Sequence, residues 1–393
     1  MIRSIIGHVE AVAAINRSIA EGRLAHAYLF CGPSGIGKGA LALELAKAVS
    51  CPSADPPCRE CSVCRRIDAG KHPDVEVIAP GGICDEAEHD HATDAGRDIR
   101  ICQVRRIERV LGLAPFEGQR RVIIVDPADA MNAQAADAFL KTLEEPPDRA
   151  VILLVTATEE GLSETVRSRC RRVALRALRP SETEHALVER FGATPDHAAR
   201  LSRIFGGRIG RAVDALRDPD FDVRRAAALD LASRVASSGV EPRFAEAQRL
   251  ADAFARRERA KGEAGGEQSE AAPPKDGKAR TRTEVFIVLD TWVEWWRDLL
   301  LVAGGADAAI VNAERASDLR VQADRLGVES AAAGVRAIRQ ARRDLEQNVN
   351  PRLALEALML RLPSAIEPPE VIRAGGRRAV VAASAAGASE RTP

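Results

Sequence analysis

The sequence predicts an α/β domain built on a parallel sheet, followed by a small helical domain and a second all-helical domain. Three observations carry this expectation. "RRVIIVDPADAM" and "RAVILLVTAT" are unbroken β-branched runs, the pattern of strands buried on both faces of a parallel sheet. "HAYLFCG" is a short apolar strand feeding a glycine loop, after which "GALALELAKAVS" takes up helical spacing. From about residue 180 the apolar spacing is helical throughout, in "SETEHALVERF", "PDHAARLSRIFGG" and "RIGRAVDALRD".

Taken in order, residues 1–178 form the α/β domain, 179–240 a small helical domain and 241–366 a second helical domain. Within the last, residues 258–283 are Gly, Pro and charge with no apolar period, the composition of a flexible linker. Helical spacing returns in "EVFIVLDTWVEWWRDLLLVAGG" and continues to "NPRLALEALMLRL". The Ala-, Gly- and Arg-rich stretch 367–393 is expected to lack fixed structure.

Composition excludes several classes of function. At 393 residues, 46% hydrophobic and 29% charged, the chain has ample material for packed cores. Its 57 basic and 57 acidic residues cancel, so no global positive field drives nonspecific nucleic-acid binding. No apolar run is long enough to span a bilayer and the start has no signal-peptide core, so a cytoplasmic location is expected. Four of the eight cysteines crowd into residues 51–64, which favours reduced thiols and a metal over a disulfide framework.

The loop "CGPSGIGKGA" follows the phosphate-binding pattern G-x-x-x-x-G-K-[ST] through Gly32, Gly37 and Lys38, then departs from it. Backbone amides of Gly35 to Lys38 would cradle phosphates, and the Lys38 ammonium would reach the outer ones. Gly39 stands where a magnesium-ligating hydroxyl belongs. Asp126 ends its strand at the metal-binding position, but Pro127 follows it, where a catalytic Glu is usual. Gly32, Gly35, Gly37, Lys38, Gly39 and Asp126 thus form a degenerate nucleotide site, able to hold ATP or ADP but short of two hydrolytic parts. Asp129 lies too far along the turn to be assumed a substitute.

"CPSADPPCRECSVC" spaces Cys51, Cys58, Cys61 and Cys64 as C-x6-C-x2-C-x2-C, which suits a closed tetrahedral zinc site of structural purpose. By contrast, "GGICDEAEHDHATDAGRD", with Cys84, His89 and His91, repeats no ligand spacing and is expected to be a mobile acidic loop. Trp292, Trp295 and Trp296 fall at i, i+3 and i+4, the spacing of a helix burying one face. Lys141 is read as a solvated or structural lysine at a helix end.

Four segments, "AHAYLFCGPSGIGKG", "HPDVEVI", "AADAFLKTLEEPP" and "TVRSRC", together resemble the clamp-loader branch of the AAA+ ATPases, the bacterial DNA polymerase III clamp-loader subunits in particular. The resemblance runs closely to about residue 215 and loosely beyond. It implies an AAA+ domain, a lid domain and a C-terminal collar-type domain. The defective motifs resemble the non-hydrolysing delta-prime type of subunit more than the hydrolysing gamma/tau type, which stands as the alternative. A zinc module occurs in the same position in such subunits. Hydrolysing relatives open a lid helix with Gly-Ser-x-Arg; here "GRIGRA" puts Gly210 at the Arg position, with Arg211 one residue and about 100° further round.

The polar sensor after the third strand stays open between Thr156 and Thr158. The Arg of "SRC" acts on a neighbouring subunit's ATP in this family, which implies that role for Arg169; local pairing with a carboxylate such as Glu164 is the structural alternative. Arg167, expected on the opposite face of an extended segment, should matter less. Implied partners are gamma/tau and delta subunits in a hetero-oligomeric ring, the sliding clamp and primed DNA. The resemblance implies a subunit of the polymerase holoenzyme whose own ATPase activity, measured on the isolated chain, is weak or absent.

Overall fold

The chain divides after Phe221 into two compact units. The computed structural model describes residues 1–86, 89, 98–262, 282–346 and 349–365. His91, the middle of the expected linker and the expected tail lie outside the described residues. At its ends the expected linker is helical, since residues 258–262 end one helix and 282–283 begin another.

The first unit runs α1 (Val9–Ala20), β1 (Ala27–Cys31), α2 (Lys38–Ser50), α3 (Ser62–Asp68), β2 (Val75–Ile78), α4 (Ile101–Gly112), β3 (Arg121–Val125) and α5 (Ala133–Glu144). It continues through β4 (Ala150–Thr156), α6 (Glu164–Ser168), β5 (Arg171–Ala174), α7 (Pro180–Phe191), α8 (Pro195–Phe205) and α9 (Ile209–Arg217). The five strands pair in the order β2-β3-β4-β1-β5, all in parallel. A parallel sheet needs crossover helices, and these cover both faces. Tyr28, Phe30, Ile124 and Leu153 pack on one face with residues of α2, while Leu29, Ile123, Ile152 and Leu154 pack on the other with residues of α4 and α5. Alternate residues of one strand therefore serve two cores, and every residue of β1 and β4 is buried. The two edge strands are less covered: β2 buries Val75 and Ile78, and β5 buries only Val173.

The "HPDVEVI" stretch shows why a charged residue can precede a buried strand. Asp74, 2% exposed, accepts hydrogen bonds from the backbone amides of Phe116, Glu117 and Gly118 at 2.6, 2.9 and 2.9 Å. Burial would push its carboxyl up, but these three amides and the Arg121 guanidinium outweigh it and hold the group below its ordinary value. Asp74 thus ties the loop ahead of β3 to the start of β2.

The second unit contains α10 (Phe221–Ala236), α11 (Val240–Gly262), α12 (Arg282–Ala303), α13 (Ala316–Glu346, kinked at Gly327) and α14 (Pro351–Arg361). Helix α10 packs here, although the sequence places residues up to 240 with the preceding helices. Trp292, Trp295 and Trp296 are fully buried at the centre of the helical core. The Trp292 and Trp295 indoles donate to the Ala228 carbonyl (3.2 Å) and the Gln322 side chain (3.1 Å). No described helix is long and apolar enough to cross a membrane.

A side chain at Gly334 on α13 would overlap the Trp296 ring. Gly334→Ala should therefore destabilise this unit by about 1–3 kcal/mol through overpacking, although alanine favours a helix by roughly 1 kcal/mol. Tryptophan fluorescence during urea unfolding reads this unit alone, because all three tryptophans lie in it. An unchanged or raised midpoint would refute the packing argument.

Candidate phosphate-binding site and cysteine cluster

The C-terminal edge of the parallel sheet gathers the residues singled out by the loop motif, as open α/β sheets do. Strand β1 ends at Cys31 and the chain turns through Gly32 (φ 140°), Gly35 (φ 81°) and Gly37 (φ 100°) into α2. These positive angles suit glycine, and contacts exclude side chains as well. A Cβ at Gly32 would overlap the Leu175 carbonyl, and one at Gly35 would lie 2.7 Å from Cγ of Arg211. The Gly210 amide, at the start of α9, donates to the Gly35 carbonyl at 2.8 Å. His8 lies 3.1 Å from the Ile36 carbonyl. The loop is held from both sides.

Lys38 folds back onto its own loop, donating to the Gly32 and Pro33 carbonyls at 2.6 and 2.8 Å. Burial pushes its pKa down, opposed by Asp126 and Asp129. Asp126 moves the other way: burial raises its pKa, with Lys38 opposing and Asp129 adding to the rise. Both groups thus shift toward neutrality, as desolvation demands. A bound phosphate would restore a counter-charge to Lys38. A Cβ at Gly39 would come within 2.9 Å of Asp126 Oδ2, so the aspartate closes over the position where a hydroxyl would hold magnesium.

Asp129 is nearer this site than its place in the sequence indicates. A short 3-10 turn at Ala128–Ala130 brings it back, so that the Thr156 hydroxyl is shared between Asp129 Oδ1 at 2.8 Å and the Thr158 carbonyl at 2.7 Å. The same oxygen accepts the Thr158 amide at 3.2 Å. Thr156, fully buried at the end of β4, is therefore the inward polar group of the pair, and Thr158 contributes backbone. Alternation along β4 could have indicated this face; only the fold could bring Asp129 to it.

Arg169 caps the C-terminus of α6. Its guanidinium pairs with Glu144 at 2.6 Å and donates to the Thr165 carbonyl at 3.0 Å, with its side chain 33% exposed. The carboxylate is therefore not Glu164 but the first Glu of "LEEPP". Residues 164–168 are helical and not extended, and Arg167 is half-buried with its Nε lacking a hydrogen-bond partner. Glu144, Thr165 and Ser168, which hold Arg169, all lie outside the phosphate loop. Lys141 is exposed on α5.

The cysteine cluster sits where α2 ends and α3 begins. Cys51 is the C-cap of α2, and Cys61 caps α3 by accepting the Cys64 amide. All four sulfurs lie within 4.8 Å of one another, with Cys51 3.6 Å from Cys58 and 3.9 Å from Cys61. Two thiolates on a tetrahedral zinc ion with 2.3 Å bonds are about 3.8 Å apart, so the set fits that ion. Backbone amides of Cys61 and Glu60 push the Cys58 thiol down to about 6, whereas burial pushes the Cys64 thiol up to about 12. A cation among them would offset that burial cost. The module is braced by Glu44 on α2, which pairs with Arg59 at 3.0 Å and with Lys47 at 2.9 Å; Lys47 also pairs with Asp68. A second grouping, missed in the sequence, joins Cys84 and His89 to Cys102 on α4, their ligand atoms again within 4.8 Å of one another.

Thr156→Val should leave half-buried Asp129 short of a hydrogen bond and lower stability by about 1–3 kcal/mol. Amide exchange at residues 128–130 and 158–161 should quicken selectively; unchanged protection there would show that the contact holds nothing.

Residues 7–179 match the family profile described as "DNA polymerase III, delta subunit", and residues 289–363 match "DNA polymerase III, delta subunit, C terminal". The chain is 33% identical over 215 residues to DNA polymerase III subunit delta' of Bacillus subtilis, covering 54% of this chain and 60% of that one. It is 38% identical over 194 residues to subunit delta' of Pseudomonas aeruginosa, covering 45% and 56%. Subunit tau of Bacillus subtilis is 32% identical over 194 residues, covering 49% and 31%. The matches thus span little more than half the length of the delta' relatives.

Proposed function

We propose, from its similarity to the delta' subunits of DNA polymerase III, that this chain is a clamp-loader subunit of the non-hydrolysing type. Its place would be in a hetero-oligomeric ring with gamma/tau and delta subunits, which loads a sliding clamp on primed DNA. In this reading residues 1–178 are the AAA+ domain, the helices that follow are its lid, and the C-terminal unit is the collar through which subunits assemble.

The observation that carries the proposal is the closed phosphate site. Gly39 offers no hydroxyl, Asp126 sits against it, Pro127 offers no base, and Lys38 is satisfied by its own loop. Hydrolysis needs a metal held by a hydroxyl and an Asp, with a group that positions water. Gly32, Gly35, Gly37 and Lys38 retain the amides and ammonium that bind phosphate, so ATP or ADP would be held, not turned over. Docking of α9 through Gly210 favours a rigid subunit.

Arg169 is assigned to a neighbour's chemistry. Its surface position and its anchoring by Glu144 support a guanidinium presented outward, and a surface ion pair of about 0–1 kcal/mol is weak enough to exchange for a phosphate. A guanidinium reaching the γ-phosphate in the adjoining subunit would stabilise charge in the transition state. Zinc on Cys51, Cys58, Cys61 and Cys64 would have all four positions filled by protein and would fold the residues between α2 and α3 without entering the chemistry.

The isolated chain should show no measurable ATP turnover. Steady turnover abolished by Lys38→Ala would instead establish a motor subunit. In the assembled complex, Arg169→Ala should slow DNA-stimulated turnover at the one interface it serves by about 10³-fold or more, as arginine fingers do elsewhere. Assembly and folding should persist. Unmodified hydrolysis and clamp loading would refute the assignment. Cys58→Ser should lose one equivalent of zinc by elemental analysis, and acidification should release the same equivalent because protons compete for thiolates.

A further inference from the structure

We propose that Cys84, His89 and Cys102 form a second metal site, separate from the four-cysteine cluster and selective for a thiolate-binding divalent ion such as Zn²⁺. The three donor atoms lie within 4.8 Å of one another, although Cys102 is 13 residues beyond His89 in the sequence. Two thiolates and an imidazole on a tetrahedral ion stand about 3.5–3.8 Å apart at bonds of 2.0–2.3 Å. Small rotations of the side chains would therefore close the set.

The surroundings are arranged as around a bound ion. The Glu86 carboxylate lies 3.1 Å from His89 Nδ1, the outer partner that orients metal-bound imidazoles through their second nitrogen. Cys102 is buried in the first turn of α4, so one sulfur of the set is fixed on a regular element. The segment after β2 is already fastened to this helix. Arg106 pairs with Glu76 at 2.7 Å and with Asp85 at 2.6 Å, Arg109 also pairs with Asp85, and the Gln103 amide donates to the Ala79 carbonyl at 3.0 Å. These contacts keep Cys84 near α4 before any ion arrives.

Binding would displace two thiol protons and leave a neutral Zn²⁺–dithiolate unit with imidazole as third donor, the fourth position taken by water. Its effect would be to staple Cys84 and His89 to α4. The ion class follows from the donors: thiolate and imidazole together select Zn²⁺ over Mg²⁺ or Ca²⁺, which need oxygen ligands.

The test uses the full chain in reducing buffer, equilibrated with Zn²⁺, desalted and analysed for metal. Cys84 and His89 are at least partly exposed, so the double variant C84S/H89A should fold, which circular dichroism verifies. The expected result is one zinc equivalent less than the unmodified chain. This difference stands whether or not the four-cysteine cluster is loaded. Co²⁺ loading should also lose the part of the sulfur-to-cobalt absorbance that two thiolates contribute. Equal zinc contents would overturn the proposal. So would a Cys84–Cys102 disulfide found by mass spectrometry in the chain as isolated, with no second ion bound after reduction.

Discussion

The glycine loop ahead of α2 can close only because side-chain atoms are missing from it. Leu175 presses on Gly32, Arg211 on Gly35 and Asp126 on Gly39, so close that a Cβ there would collide or crowd, and a Cβ on Gly210 would crowd the Gly35 carbonyl. Strand β5, helix α9 and the end of β3 can converge on one turn of backbone because that turn is glycine. The hydrogen bond from Gly210 to Gly35 then joins α9 to the loop main chain to main chain. A residue larger than glycine at either place would push the two apart.

Electrostatics complement this closure. Lys38 and Asp126 lie near enough to interact, and burial shifts each toward its neutral form while their mutual attraction resists. In the proposed reading a bound phosphate would draw Lys38 from the Gly32 and Pro33 carbonyls and give it a counter-charge. The pair is not poised for magnesium, because the hydroxyl is missing and the aspartate occupies the space beside Gly39. Asp129, held by Thr156, adds negative charge to the same corner and opposes the downward shift of Lys38.

Two motifs that are distant in sequence prove to be one feature. Glu144 of "LEEPP" and Arg169 of "SRC" form an ion pair, so the end of α5 presents the guanidinium at the end of α6. "HPDVEVI" likewise owes its Asp to three amides from a loop more than forty residues away. In each case a charged residue beside an apolar run marks a tertiary contact whose partner the run itself does not reveal.

Local pattern in the chain was enough to specify the parallel sheet, the degenerate loop at Gly32–Gly39, the four-cysteine grouping and the burial of Trp292, Trp295 and Trp296. These rest on spacing: period two or unbroken apolar runs for strands, 3.6 for helices, and short fixed gaps for metal ligands. It took the folded chain to show that Thr156 faces Asp129, that Glu144 and not Glu164 holds Arg169, and that Cys102 joins Cys84 and His89. The same holds for α10, which packs with the C-terminal helices. Each of these depends on crossovers that bring residues 13 to 30 or more positions apart into contact, and the local pattern carries no record of which loop end returns to which strand. Period and spacing encode which face of an element is buried, whereas the identity of the group across that face is set by how the elements stack.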